Sequence, residues 1–215
     1  MKLSVLICSL VKRKFSLQRL MLILQPQLHY FSNDVEILTD VDNGEKIVGT
    51  KRNDLIQRAT GEYVCFIDDD DLVSKDYMAK IIAAISSLPD CCGIEGQMRT
   101  NGRNPRMFIH SIKYNTWYEK DGVYYRTPNH LNPIKRELAV QIPFPAKNIG
   151  EDRSYSDRIF PLLKTEQYIT GVIYHYNFMS RKPQPFSMGR VLSRRDTATR
   201  RTIPDRNNRR GQFRG

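Results

Sequence analysis

Four consecutive carboxylates, Asp68-Asp69-Asp70-Asp71, follow directly on the apolar run Tyr63-Val64-Cys65-Phe66-Ile67. Like charges this close repel one another, and a bound cation relieves them. Hard carboxylate oxygens suit Mg²⁺ or Mn²⁺. At the end of a buried strand the cluster would project from the carboxyl edge, where open α/β sheets bind ligands. On extended backbone alternate side chains share a face, so Asp68 and Asp70 should point one way and Asp69 and Asp71 the other. The first pair could bridge a ribose and a metal-bound diphosphate. The competing reading is a solvated acidic loop in which Asp71 caps the helix that follows. A second acidic pair, Glu151-Asp152, follows Gly150. By itself it reads as a helix start, because acids favour the first turn.

The elements that must position these acids alternate along the chain. Residues 3–8 form a short apolar run, expected of a buried strand. Leu17, Leu20, Met21 and Leu24 recur at helical spacing, and Pro26 should end that helix. Residues 35–39 read as a second strand, followed by the turn former Asp42-Asn43-Gly44. Residues 49–58 read as a helix closed by Thr60-Gly61, residues 62–67 as a third strand, and residues 77–88 as a helix with Met78, Ile81, Ile82 and Ile85 on its apolar side. Strand and helix in alternation argue for α/β architecture with a largely parallel sheet. Beyond residue 90 the pattern loosens. Short strands are expected at 93–98, 106–112 and 123–126, with a turn at Asn101-Gly102. Helices are expected at 133–141 and 150–163, and a late strand at 168–178.

The ordered set Val35-Glu36-Ile37-Leu38, Asp42-Asn43-Gly44, Lys51-Arg52-Asn53 and Thr60 to Asp71 resembles the family-two inverting glycosyltransferases. Asn148-Ile149-Gly150-Glu151-Asp152 with Arg158-Ile159 is similar to that family's later Gly-Glu-Asp segment. The likeness spans roughly residues 3–180. It implies an α/β fold of the GT-A (Rossmann-like) type, a mixed and mostly parallel sheet flanked by helices, over residues 1–180. Compact chains of this kind resemble phage-encoded members, some of which would glycosylate modified DNA bases.

The resemblance also implies roles. Ser9 and Arg13 would line the nucleotide site, although Lys12-Arg13-Lys14 also reads as a solvated basic turn. Asp42 would contact the base, accepting an imide N–H, which selects uracil; locally it reads as a turn former. Arg52 would face the pyrophosphate, or else be an exposed helix charge. Asp68 and Asp70 match the DXD motif, with Asp70 as metal contact and Asp69 the choice if the register shifts by one. His175 sits where some members supply a further metal ligand, and a His between tyrosines on a strand is also a common packed residue. Asp152 would be the catalytic base and Glu151 its neighbour at the acceptor. His130 and Asn132 lie where donor-sugar and acceptor contacts are expected. The implied cofactor is Mn²⁺ or Mg²⁺ and the implied donor a nucleotide sugar, with UDP favoured.

The chain has 215 residues and a net charge of +11. Residues 181–215 carry eleven Arg and Lys against two acids, a net of +9, so the rest is nearly neutral. This Arg-rich segment should be an extended tail. It would meet DNA, an anionic glycan or an anionic membrane surface, or it would wrap its own domain or a second copy of the chain. The longest apolar run, residues 20–24, is far too short for a membrane span. Four cysteines without a C-x-x-C pair fit a reducing cytoplasm, that of the host if the chain is phage-encoded, and argue against structural zinc. A nucleotidyltransferase is disfavoured because no G-x-x-x-x-G-K-[ST] loop occurs. A non-enzymatic nucleic-acid binder would leave both acidic groups unexplained.

Overall fold

The computed structural model describes residues 1–179. Its first strand, β1 (Leu3–Leu10), is buried along nearly its whole length and lies between two parallel neighbours, β2 (Val35–Asp42) and β3 (Tyr63–Phe66). Both faces of β1 are covered, which is why apolar residues fall on both of them rather than on alternate positions only. Leu3, Val5 and Ile7 point to one face and pack against α1 (Lys14–Tyr30) and α3 (Tyr77–Ile85). Leu6 points to the other and packs with Leu55 and Ile56 of α2 (Val48–Arg58) and Tyr155 and Ile159 of α5 (Glu151–Ile159). Each such aliphatic side chain, taken fully out of water, stabilises the fold by about 1.5–3 kcal/mol.

The sheet continues from β3 through β9 (Ile134–Lys135) to β5 (Cys91–Thr100), β6 (Arg103–His110), β8 (Val123–Arg126) and β7 (Tyr118–Lys120). The final strand, β10 (Glu166–Phe178), runs parallel to β5 and also pairs with the short β4 (Leu72–Val73). The result is a mixed sheet flanked by helices. Its long parallel ladders are β1 with β2 and β3, and β5 with β10; β5 with β6 is antiparallel.

Two expectations from the sequence change. The first helix does not end at Pro26 but runs through it to Tyr30. Pro26 lies on the solvent side, so the carbonyl it leaves without an N–H partner faces water. The next residue, Gln27, is buried and holds the helix end. Its amide donates to the Ile23 and Ser74 carbonyls and accepts from the Met78 N–H. The helix expected over 133–141 shrinks to α4 (Arg136–Ala139), because Ile134 is drawn into the sheet opposite Val64 and Cys91. The basic tail expected at 181–215 lies outside the described residues.

Candidate active site

The carboxyl ends of β1, β2 and β3 open together on one edge, and loops from all three converge there. β3 stops at Phe66, and the chain turns through the acidic cluster with Asp71 N–H donating to the Asp68 carbonyl at 3.0 Å. That turn breaks the expected alternation of faces. Asp68 points to Arg52 at 3.0 Å and lies 3.6 Å from His130 Nε2. Asp69 accepts from Ser9 Oγ at 2.5 Å and pairs with Arg13 at 3.0 Å. Asp70 pairs with the same Arg13, so Asp69 and Asp70, not Asp68 and Asp70, share a cation. Asp71 turns inward. It accepts from the Tyr174 hydroxyl and the Asn177 N–H, and it caps no helix, since α3 starts only at Tyr77.

These placements split the charge states of the cluster. Burial works to raise the Asp68 pKa, but Arg52, His130 and Arg13 outweigh it and hold the carboxyl well below the usual range. Asp69 is raised by burial, against the pull of Ser9 and Arg13. Asp71 is pushed up to about 8 by burial and the nearby Asp68 charge. The cluster thus holds one firmly ionised acid beside one that favours its proton.

A cavity of about 490 Å³ opens against this edge, lined among others by Ser9, Arg13, Lys51, Arg52, Asp68 to Asp70 and Glu151. Arg52 is buried, not an exposed helix charge. It bridges Asp68 and Glu151, the latter at 3.5 Å, and its guanidinium lies 5.0 Å from the centre of the Phe66 ring and 5.5 Å from that of Phe144. Its Nε and Nη1 have no hydrogen-bond partner. Buried, unspent guanidinium N–H groups suit the oxygens of an anion. Lys51 was not marked by the sequence reading. It is buried, donates to the Ser9 carbonyl at 2.6 Å and pairs with Asp42 at 2.5 Å. Its position one residue before Arg52 was the available signal. Cys8 also lines the cavity, with its thiol pushed up to about 12 by burial, so it remains protonated.

Asp42 does not line the cavity. Both its oxygens are engaged, by Lys51 and the Gly44 and Lys46 N–H groups, and the hydrogen bond from Lys51 leads in holding its pKa low. The turn-forming reading describes it; a free acceptor for a base N–H does not.

Gly150 adopts φ +76°, a left-handed conformation that suits glycine, and swings the chain into α5. Glu151 and Asp152, in the first turn, therefore point into different spaces. Glu151 faces the large cavity, and Asp152 faces a second one of about 50 Å³ together with His110, Arg126 and His130. Asp68 and Tyr176 line both. His130 is thus at the site. Asn132 is not; its amide is consumed by the Cys92 carbonyl, the Asn129 N–H and His110, so it holds the floor in place. His175 is also brought elsewhere. It alternates with Tyr174 and Tyr176 on β10, faces away from Asp68, and has its pKa lowered by burial and Arg99.

Among the described residues no group of three His, Cys, Asp or Glu side chains could hold a metal by itself. The donor set nevertheless fits a hard ion. Mg²⁺ is commonly bound through one or two carboxylates, with phosphates and water completing the shell. Asp68 and Asp70, each about a third exposed on the cavity wall, supply that pair.

Residues 31–145 match the family model described as glycosyl transferase family 2. Among solved structures, S. aureus TarS 1-349 in complex with UDP superposes with a TM-score of 0.60 at 19% identity, over 82% of this chain and 60% of that one. The same protein in complex with UDP-GlcNAc gives 0.59 at 19% identity, over 89% and 62%. The chain therefore spans about three fifths of these structures, and at this identity the likeness is one of fold, of the GT-A kind. No curated protein matches the chain. Among the described residues no helix is long and apolar enough to cross a membrane.

Proposed function

The chain belongs to glycosyl transferase family 2, and from that premise we propose that it moves a sugar from a nucleoside-diphosphate donor, UDP first among them, to an acceptor hydroxyl with inversion at the anomeric carbon. The observation that carries this reading is the pair of cavities meeting at Asp68, one cation-lined and one holding Asp152. In the larger, Arg13, Lys51 and Arg52 face the diphosphate, and the free N–H groups of Arg52 bind its oxygens. Asp70 and Asp68 would hold Mn²⁺ or Mg²⁺, which when bound offsets the charge of the departing nucleoside diphosphate. Asp152 takes the proton of the acceptor hydroxyl as it attacks. Glu151 is turned to Arg52 and positions that guanidinium. Ser9 and Asp69 hold Arg13 on the cavity wall.

The acceptor reading rests on charge alone. The +9 of residues 181–215 supports a polyanionic acceptor or neighbour, hydroxymethylated DNA among them. A screen of nucleotide sugars for slow hydrolysis tests the donor without any acceptor. Release of UDP from a UDP-sugar, dependent on Mn²⁺ or Mg²⁺, is expected. Turnover that persists in EDTA would remove the metal from the reading, and no release from any donor would remove the reading itself. On a DNA acceptor, activity should fall steeply with salt; a flat response would exclude DNA as the polyanion.

A further inference from the structure

His110 and Arg126 are register partners on the parallel strands β6 and β8, so their side chains stand next to each other on one face. Both line the 50 Å³ cavity. The state of the imidazole follows from its neighbour. Asn132 Nδ2 donates to the Cys92 carbonyl at 2.8 Å, and Asn132 Oδ1 accepts from the Asn129 N–H at 3.0 Å. Turning the amide over would set donor against donor and acceptor against acceptor. Oδ1 therefore faces His110 Nδ1, at 3.0 Å, and Nδ1 must carry the proton. Nε2 is left as a bare acceptor, buried and without a partner. Burial, and then the Arg126 charge, push the His110 pKa down to about 3, so Nε2 stays an acceptor at any working pH. Arg126 is a donor only, and its guanidinium is held over Trp117 at 4.6 Å from the ring centre.

An obligate acceptor beside an obligate donor is complementary to a hydroxyl, which gives one hydrogen bond and takes another. A carboxylate would set its lone pairs against Nε2. The cavity is small, about 50 Å³ against about 490 Å³ for its neighbour. Met98, Phe108 and Leu131 supply apolar walls for a carbon. In a hexopyranose, C6 carries the one hydroxyl on an arm beyond the ring. Such an arm can enter here while the ring stays at Asp68, which borders both cavities.

Resting on the donor reading above, we propose that His110 and Arg126 read the C6 hydroxymethyl group of the transferred sugar and so select hexose donors. The hydroxyl donates to His110 Nε2 and accepts from an Arg126 N–H. A site that pairs with a substrate hydroxyl discriminates strongly against the analogue lacking it, because its buried groups are then left unpaired.

The probes are UDP-glucose and UDP-galactose against UDP-xylose, which lacks only that arm relative to UDP-glucose, each followed by UDP release, with UDP binding measured in parallel. Wild type should favour at least one hexose over UDP-xylose by about 100-fold or more in kcat/KM. His110→Phe should reduce that preference to within about fivefold with UDP affinity unchanged, and His110→Gln, which restores an acceptor, should recover part of it. Arg126→Met, at a half-exposed position, gives the same readout should the buried substitutions unfold. UDP-xylose turned over as fast as both hexoses, or a preference intact in His110→Phe and Arg126→Met, overturns the hydroxymethyl site while leaving the donor reading in place. Absence of UDP binding in wild type overturns both.

Discussion

In the 490 Å³ cavity each of Asp68, Asp69, Asp70 and Glu151 faces an arginine, whereas in the 50 Å³ cavity beside it His110 Nε2 and His130 Nδ1 have no hydrogen-bond partner. The first space is charge-matched within itself. A diphosphate can enter by exchanging the company that Arg13 and Arg52 now keep, so its affinity should depend on salt and on the acids as well as the bases. The second space sets His110, Arg126 and Asp152 among apolar walls, which suits a guest that carries a hydroxyl. Under the proposed function, charge would handle the leaving group and hydrogen-bond geometry the sugar. Asp68 belongs to both.

The division can be broken from the small side first. Asp152→Asn should lower donor turnover by about 10²–10⁴, the usual contribution of a positioned base, while UDP affinity stays within a few-fold. Equal losses in both would mean that the two cavities are one functional unit. From the large side, Arg52→Met should weaken UDP binding and also destabilise the fold, seen as a lower urea midpoint. The cost is on the order of 3 kcal/mol, the lower end for a broken buried ion pair, since Asp68 keeps some contact with water.

Gly96→Ala is a finer probe. A methyl group there would run into the Phe108 ring, which walls the small cavity. Overpacking of about 1–3 kcal/mol is expected in thermal melts, with turnover reduced and UDP binding retained. A further probe is set by pH. Asp71 has its folded pKa raised to about 8 from 3.8. Between these values the folded state holds a proton that the unfolded chain has lost. The stability it contributes is therefore complete below about pH 4 and lost as pH rises through 8. Asp71→Asn removes that dependence, so its melting temperature should gain on wild type between pH 5 and pH 8.5. A constant difference would place the ionised form of Asp71 in the native state.

Much of this was legible in the chain. The apolar run of β1 predicts a strand covered on both faces, and the strand–helix alternation predicts the parallel β2–β1–β3 core. The approach of Arg13 and Asp68 at one edge follows once β1 and β3 end together, whereas Arg52 and Asp152 ride on α2 and α5. What was not legible depends on contacts distant in sequence. Pro26 does not end α1 because Gln27 is anchored by Ser74 and Met78, about fifty residues away. The acids do not alternate because the chain turns immediately after β3. Asn132 reads as a ligand but serves as scaffold, since Cys92 and Asn129 claim its amide. Lys51 sits in the Lys51-Arg52-Asn53 motif without a role of its own there, and only the fold buries it beside Ser9 and Asp42. The pairing of His110 with Arg126 exists only through the register of β6 and β8.

The cation-lined cavity is expected to receive a nucleoside diphosphate at Asp68 and Asp70. Calorimetric titration of the protein with UDP, with and without Mn²⁺, tests it most directly. One UDP per chain is expected, bound more tightly when Mn²⁺ is present, with that gain abolished in Asp70→Ala. A wild-type chain that takes up no UDP in either condition would contradict it.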